Sequence, residues 1–244
     1  MRLKITTENK SWEYGFLDHV KRPAASLVKI LIATSVEEQA KKNVVNLFED
    51  ILVNDLIDTD YEPSILRSLD LNHLLSIAEL IQILISASDP FASKFLMGLI
   101  DVAQINEMQE LANLSNSEFV FNSTSKQKNL IGQITAKDAL KLVEFGSNSK
   151  RYPLTAKGLS NSILNSRIPL GIANTGTRIS HKTGTLLSVA HDVALIECHN
   201  ASIGIAFLTE NQDDTLQTGY EMGICTRRII ETLNYSVQFT RSFD

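Results

Sequence analysis

Apolar residues in this chain follow two different periods, and the change of period divides it. Residues 2–7 alternate, with Leu3 and Ile5 on one side, and residues 12–17 alternate again with Trp12, Tyr14 and Phe16. A period of two predicts a pair of strands joined by the turn at Asn9-Lys10. Residues 26–40 then carry Leu27, Val28, Ile30, Leu31 and Ile32, an apolar helix. A second helix is predicted over 42–54 from Val44, Val45, Leu47, Phe48, Ile51 and Leu52, followed by an acidic connector over 55–60. Ser64 opens a short surface helix, and Ser76-Ile77-Ala78-Glu79 has the form of a capping box ahead of a helix apolar nearly all round. That helix stops at Ser86-Ala87-Ser88-Asp89-Pro90. Further helices are predicted over 91–102, 105–114, 139–145 (capped by Thr135) and 155–166. The Asn/Ser-rich stretch 115–129 and residues 146–153 read as loops.

From Ile168 the character changes, and Pro169, Gly171 and Gly176 mark turns. Residues 177–184, ending in a tight turn, and residues 190–197 and 202–208 read as strands, with a turn at His199-Asn200-Ala201, and 219–233 as an amphipathic helix. Strands therefore lie at both ends and helices in the middle. The predicted architecture is α/β of the α+β kind: an antiparallel five-stranded sheet built from both termini, flanked by helices, with an inserted helical lobe. We read one domain over 1–244, with a sheet lobe of about 1–40 and 166–244 and a helical lobe of about 41–165.

Composition narrows the chemistry. The chain has 244 residues, 43% hydrophobic and 21% charged, which suffices for a sizeable core. A formal charge of −5 with scattered basic residues argues against nucleic acid as partner. No apolar stretch is long enough to span a membrane, and the N-terminal residues alternate where a signal core would be continuous. The expected location is the cytoplasm, or outside the cell if a signal has already been removed. Two cysteines, Cys198 and Cys225, and five histidines show no metal-ligand spacing, so neither metal nor cofactor is expected.

The candidate chemistry starts at Ser26. A serine three residues before a lysine at a helix start shares one face with it. A buried lysine loses pKa, and once neutral it can take the serine proton and make a nucleophile. The spacing recurs at Ser123/Lys126, Ser125/Lys128 and Ser147/Lys150, but in polar stretches, where an N-cap serine and a solvated lysine are the plain reading. Only Ser26 opens a buried helix. Ser88 sits in the break between two helices, where irregular backbone can bring a hydroxyl into a cleft. Lys182-Thr183-Gly184 ends a predicted strand, and the glycine lets a ligand approach the backbone.

Ser26-Leu27-Val28-Lys29, Ser88-Asp89-Pro90 and Lys182-Thr183-Gly184, in this order, resemble the class A β-lactamase and penicillin-binding-protein superfamily of serine hydrolases. The resemblance covers nearly the whole chain and includes Ser64-Ile65-Leu66-Arg67, Thr135-Ala136-Lys137-Asp138 and His191-Asp192-Val193-Ala194. It implies Ser26 as the acylated nucleophile, Lys29 as its base or proton relay, and Ser88 as the group that passes the proton to the leaving nitrogen or oxygen. It also implies Lys182 as a positive charge that holds the Ser88 hydroxyl. Thr183, Gly184 and Thr185 would bind a small-molecule substrate carrying a carboxylate. The N–H groups of Ser26 and Thr185 would form the oxyanion hole. Two features depart from the family. Pro90 stands where asparagine is usual. Asn122, Ser123 or Thr124 stands where class A enzymes carry the glutamate that activates the deacylating water, and Glu118 is the nearest acid. The resemblance thus implies hydrolysis of an amide, β-lactam or ester, or an acyl-trapping penicillin-binding or D,D-peptidase type with slow deacylation. A binding module that has lost the chemistry is the third reading, and the intact Ser26, Lys29, Ser88 and Lys182 argue against it.

Overall fold

The computed structural model describes the chain except residues 9, 59–61, 124–127, 174–175, 199–200 and 242–244; of 234–241 it describes the helix alone. The main sheet is antiparallel, ordered β2-β1-β10-β9-β8. It combines β1 (Arg2–Thr6) and β2 (Ser11–Gly15) from the start of the chain with β8 (Arg178–Leu186), β9 (Val189–Cys198) and β10 (Ala201–Phe207) from its end. Leu3 lies opposite Ile205 and Ile5 opposite Ile203, which fixes the register. A one-residue slip would turn these side chains out of the core. The predicted turns at Asn9-Lys10 and His199-Asn200-Ala201 include residues outside the described ones.

In chain order between the two parts of the sheet, α1 (Lys29–Lys41) is the central helix of the helical layer. Ile30, Leu31, Ile32, Ala33 and Val36 are all at most 1% exposed. Around it stand α3 (Ile77–Ser86), α4 (Pro90–Gly98), α5 (Val102–Leu111), α6 (Ala136–Gly146) and α7 (Pro153–Ser160). The expected capping box at Ser76 and Glu79 is present. Glu37 of α1 is buried and caps α7, accepting from Leu154 N at 3.1 Å, Thr155 N at 2.8 Å and Thr155 Oγ1 at 2.6 Å. Burial pushes the Glu37 pKa up, and these bonds oppose the rise. The last helix, α8 (Thr215–Arg241), lays Ile229, Ile230 and Leu233 on the outer face of the sheet.

Two stretches differ from expectation. The helix over 42–54 does not form. Asn43 takes a left-handed φ of 59°, ending α1, and Val44 and Phe48 are 70% and 84% exposed. The chain then makes β4 (Asp50–Leu52) and the short α2 (Val53–Leu56), and β4 pairs with β5 (Leu74–Ser76). The predicted loop over 115–129 is a hairpin instead. Strands β6 (Glu118–Ser123) and β7 (Lys128–Ile134) pair in register, and β7 continues onto β3 (Arg22–Pro23). Phe119 and Phe121 turn inward together while Val120 between them is half exposed, the alternation a strand requires. Lys128 anchors the hairpin by donating to the carbonyls of Gly98 and Ile100 and to Asp101. At the other end, buried Asp138 accepts from Asn116 N and Ser117 Oγ. The region between α1 and β8 thus holds two small strand ladders among its helices.

Candidate active site

Ser26 lies in a 3-10 turn, Ala25–Val28, immediately ahead of α1. Ala25 before it has φ 48°, a conformation costing a non-glycine residue on the order of 1 kcal/mol or more. The strand before the turn is tied down from two sides. Ala24 N donates to Gly132 O of β7 at 2.8 Å. The Pro23 carbonyl accepts from His191 Nε2 at 2.7 Å, and His191 Nδ1 accepts from Thr209 N at 3.1 Å. These partners assign the proton to Nε2. Burial lowers the His191 pKa to about 4, so the imidazole is neutral. A Cβ on Gly184 would lie 3.2 Å from the Ala25 Cβ, so glycine lets β8 approach the nucleophile turn closely.

Lys29 is one turn after Ser26, and both line one cavity. Lys29 Nζ donates to the Ser88 carbonyl at 2.5 Å and to Ser88 Oγ at 3.2 Å, across 59 residues of sequence. Ser88 takes φ 56°, which bends the chain between α3 and α4. Asp89 holds that bend: it caps α4 through Phe91 N and Ala92 N and accepts from Ser64 Oγ and Ile65 N. Asp89 and Pro90 are thus the N-cap and first residue of α4. The Ser86 carbonyl, by contrast, accepts from Ile163 N, so Ser88 is the serine facing Lys29.

Lys182 is 1% exposed, and its Nζ donates to the Thr183 carbonyl at 3.2 Å. The lysine on the Ser88 hydroxyl is therefore Lys29, where the resemblance implied Lys182. Burial lowers the Lys29 pKa to about 8, with Asp89 and Glu62 opposing. Burial lowers Lys182 further, to about 7; Lys29 and Arg167 add to the shift and Asp192 opposes it. Thr183 and Gly184 are buried and Thr185 is exposed.

Sequence reasoning missed Arg167. Its buried guanidinium donates to Gly184 O at 3.1 Å, Thr185 Oγ1 at 2.7 Å and the His191 carbonyl. Arg167 follows α7 in a segment without periodicity, so nothing in its neighbourhood marks it. His181 and Asp192 form a buried pair at 3.0 Å behind the lysine strand, with His181 Nε2 against Asn165 Oδ1 at 3.1 Å. Glu118, the nearest acid to the expected base position, pairs with Lys21. Thr124 lies outside the described residues. None of the described residues lining the Ser26 cavity is acidic, and none of the described residues forms a metal-binding cluster. No described helix is long and apolar enough to cross a membrane.

The arrangement offers a serine hydroxyl, a lysine able to exist as an amine, a second hydroxyl on that lysine, and two further cations. Solved structures share the fold. A β-lactamase from Sphaerobacter thermophilus is 21% identical with a TM-score of 0.76, over 96% of this chain and 91% of that one. A PBP-A mutant solved as an acyl-enzyme complex with penicillin G is 19% identical with a TM-score of 0.74, over 96% and 90%. A β-lactamase from Francisella tularensis is 17% identical with a TM-score of 0.72, over 96% and 93%. No curated protein matches the chain at a significant level. The model of the beta-lactamase enzyme family matches residues 3–232. With that match over nearly its whole length, the chain belongs to the beta-lactamase enzyme family, whose members are serine hydrolases.

Proposed function

We propose that the protein acylates Ser26 with an amide, β-lactam or ester and releases the acyl group slowly. The observation that carries this reading is the placement of Lys29 Nζ, which lines the Ser26 cavity and reaches the Ser88 hydroxyl at 3.2 Å. Ser26 Oγ bonds to the carbonyl carbon while its proton passes to neutral Lys29. The C–N or C–O bond then breaks, and the proton travels through Ser88 Oγ to the departing atom. Water reverses the sequence, breaking the Ser26 ester and restoring the hydroxyl. Backbone N–H groups of Ser26 and Thr185 are the proposed oxyanion donors. Lys182, Thr183, Gly184 and Thr185 are the proposed contacts for an anionic part of the substrate.

The acyl-trapping reading is favoured by one specific feature: no described acid lines the Ser26 cavity. A positioned general base contributes typically ~10²–10⁴-fold to its step, so its loss slows deacylation more than acylation. The test mixes enzyme with a chromogenic cephalosporin and follows product on the millisecond scale together with intact mass. A burst near one equivalent, a mass increment and a slow steady state are expected. Ser26→Ala should abolish all three. Linear turnover without accumulated acyl-enzyme would exclude slow release, and a Ser26→Ala protein that still shows the burst would remove Ser26 from the reaction.

A further inference from the structure

The walls of the cavity beside Ser26 and Lys29 are mostly apolar. Val28 and Ile32 come from the approach to α1 and its first turns, Met97 from α4, Leu130 and Ile131 from β7, and Leu186 from the end of β8. Among the described residues, Ser93 and Asn129 are its only polar residues besides Ser26 and Lys29. Its volume is about 290 Å³. That is at the small end of ligand pockets, and at about 30 Å³ per water-sized unit it accommodates on the order of ten such units.

We propose that this cavity is an acyl-chain pocket, and that the preferred substrates carry an unbranched apolar acyl group of medium length. The proposal rests on the reading of Ser26 as an acylated nucleophile and names the substrate class for it. The hairpin β6–β7 supplies the pocket's distinguishing wall. Leu130 is 5% exposed, Ile131 is half exposed at the rim, and the Gly132 carbonyl is held by Ala24 N. The wall is therefore fixed to the nucleophile turn itself. An acyl chain leaving the Ser26 carbonyl carbon would displace water from these walls. Each methylene buried in this way favours the acylation transition state about fourfold.

The experiment uses p-nitrophenyl acetate, hexanoate and the half-ester of succinate, with acylation read in a single turnover as p-nitrophenolate release. In this step Ser26 Oγ bonds to the acyl carbon, the ester C–O bond breaks, and the proton of Ser26 goes to Lys29. Hexanoate should acylate at least tenfold faster than acetate, and succinate no faster than acetate. Ile131→Asp, at a half-exposed rim position, should lower the hexanoate-to-acetate ratio several-fold. Diethyl fluorophosphate, which needs no acyl pocket, is the separate probe of the nucleophile, read by intact mass. If Ser26 takes the diethylphosphoryl group but acetate equals or exceeds hexanoate, the pocket is not an acyl-chain site, while the nucleophile reading stands. If neither reagent modifies Ser26, the nucleophile reading fails and takes the pocket with it.

Discussion

Burial pushes Lys29 down to about 8 and Lys182 down to about 7, so between pH 7 and 8 both amines are only partly protonated. Their apparent values belong to the pair, because Lys29 itself contributes to the Lys182 shift. The proposed base must be neutral and the proposed anion contact must be charged. For a neutral ester the acylation rate should therefore climb about tenfold per pH unit at low pH and level off above about 8. A substrate carrying a carboxylate should add a falling limb above about 7 as Lys182 loses its charge. Lys182→Met should remove the falling limb and leave the rising one. A falling limb that survives in Lys182→Met would assign it to another group. Lys29→Met should cost at least ~10²-fold in acylation with either substrate.

His191 is where an element acts through a single ring. It joins the start of β9 and Thr209 to the Pro23 carbonyl, three residues before the nucleophile, while the glycine of β8 lets the turn sit against the strand. A glutamine places an amide N–H near the Nε2 position, and an asparagine places its oxygen near Nδ1. His191→Gln should therefore keep the Pro23 bond and most of the acylation rate. His191→Asn should keep the Thr209 bond and acylate about tenfold more slowly, with KM for a small ester little changed. Equal acylation rates in two variants of equal melting temperature would leave His191 a packing residue only. The elements around this strut differ in how far the sequence reveals them. Strands β9 and β10 carry continuous runs of buried residues, and α1 opens on the apolar run Ile30–Ala33, so both stand out in the sequence. The hairpin β6–β7 is half solvated, and its Asn and Ser residues mask the alternation of Phe119 and Phe121. Residues 42–54 have helical spacing, but the left-handed Asn43 turn and the β4–β5 pairing override it. Ser26, Lys29 and Ser88 were legible because their spacing is local or sits at a helix break. Arg167 and His191 act through carbonyls contributed by distant segments, which no local pattern encodes.

Across the whole molecule, two buried lysines make the site a thermodynamic burden that varies with pH. The folded-state pKa of Lys182 is about 7 against an ordinary 10.5, and that of Lys29 about 8. Between these values and 10.5 the unfolded chain binds more protons than the folded one, so stability rises with pH in that window and is flat in these two groups below it. Met1 has its ammonium lowered from 8.0 and acts in the same direction. His191 acts lower, between about 4 and 6.5. Cys198, Cys225 and Tyr152 have raised values and oppose the trend only above about pH 9. Between pH 7 and 9 the rise is unopposed by these groups, and Lys29 and Met1 add to the Lys182 contribution. There, Lys182 alone should add on the order of 2 kcal/mol to the unfolding free energy, since one group contributes at most about 1.4 kcal/mol per pH unit. Urea unfolding at pH 7, 8 and 9 measures it. Lys182→Met should be more stable than the parent at pH 7, by about 2–4 °C in melting temperature per kcal/mol for a chain of this size, and should show a shallower slope. Its acylation of an anionic substrate should fall in the same preparation. A variant that matches the parent in stability at pH 7 and in slope would mean that Lys182 carries its charge without cost in the folded state, and the lysine would then be an ammonium throughout the working range of the enzyme.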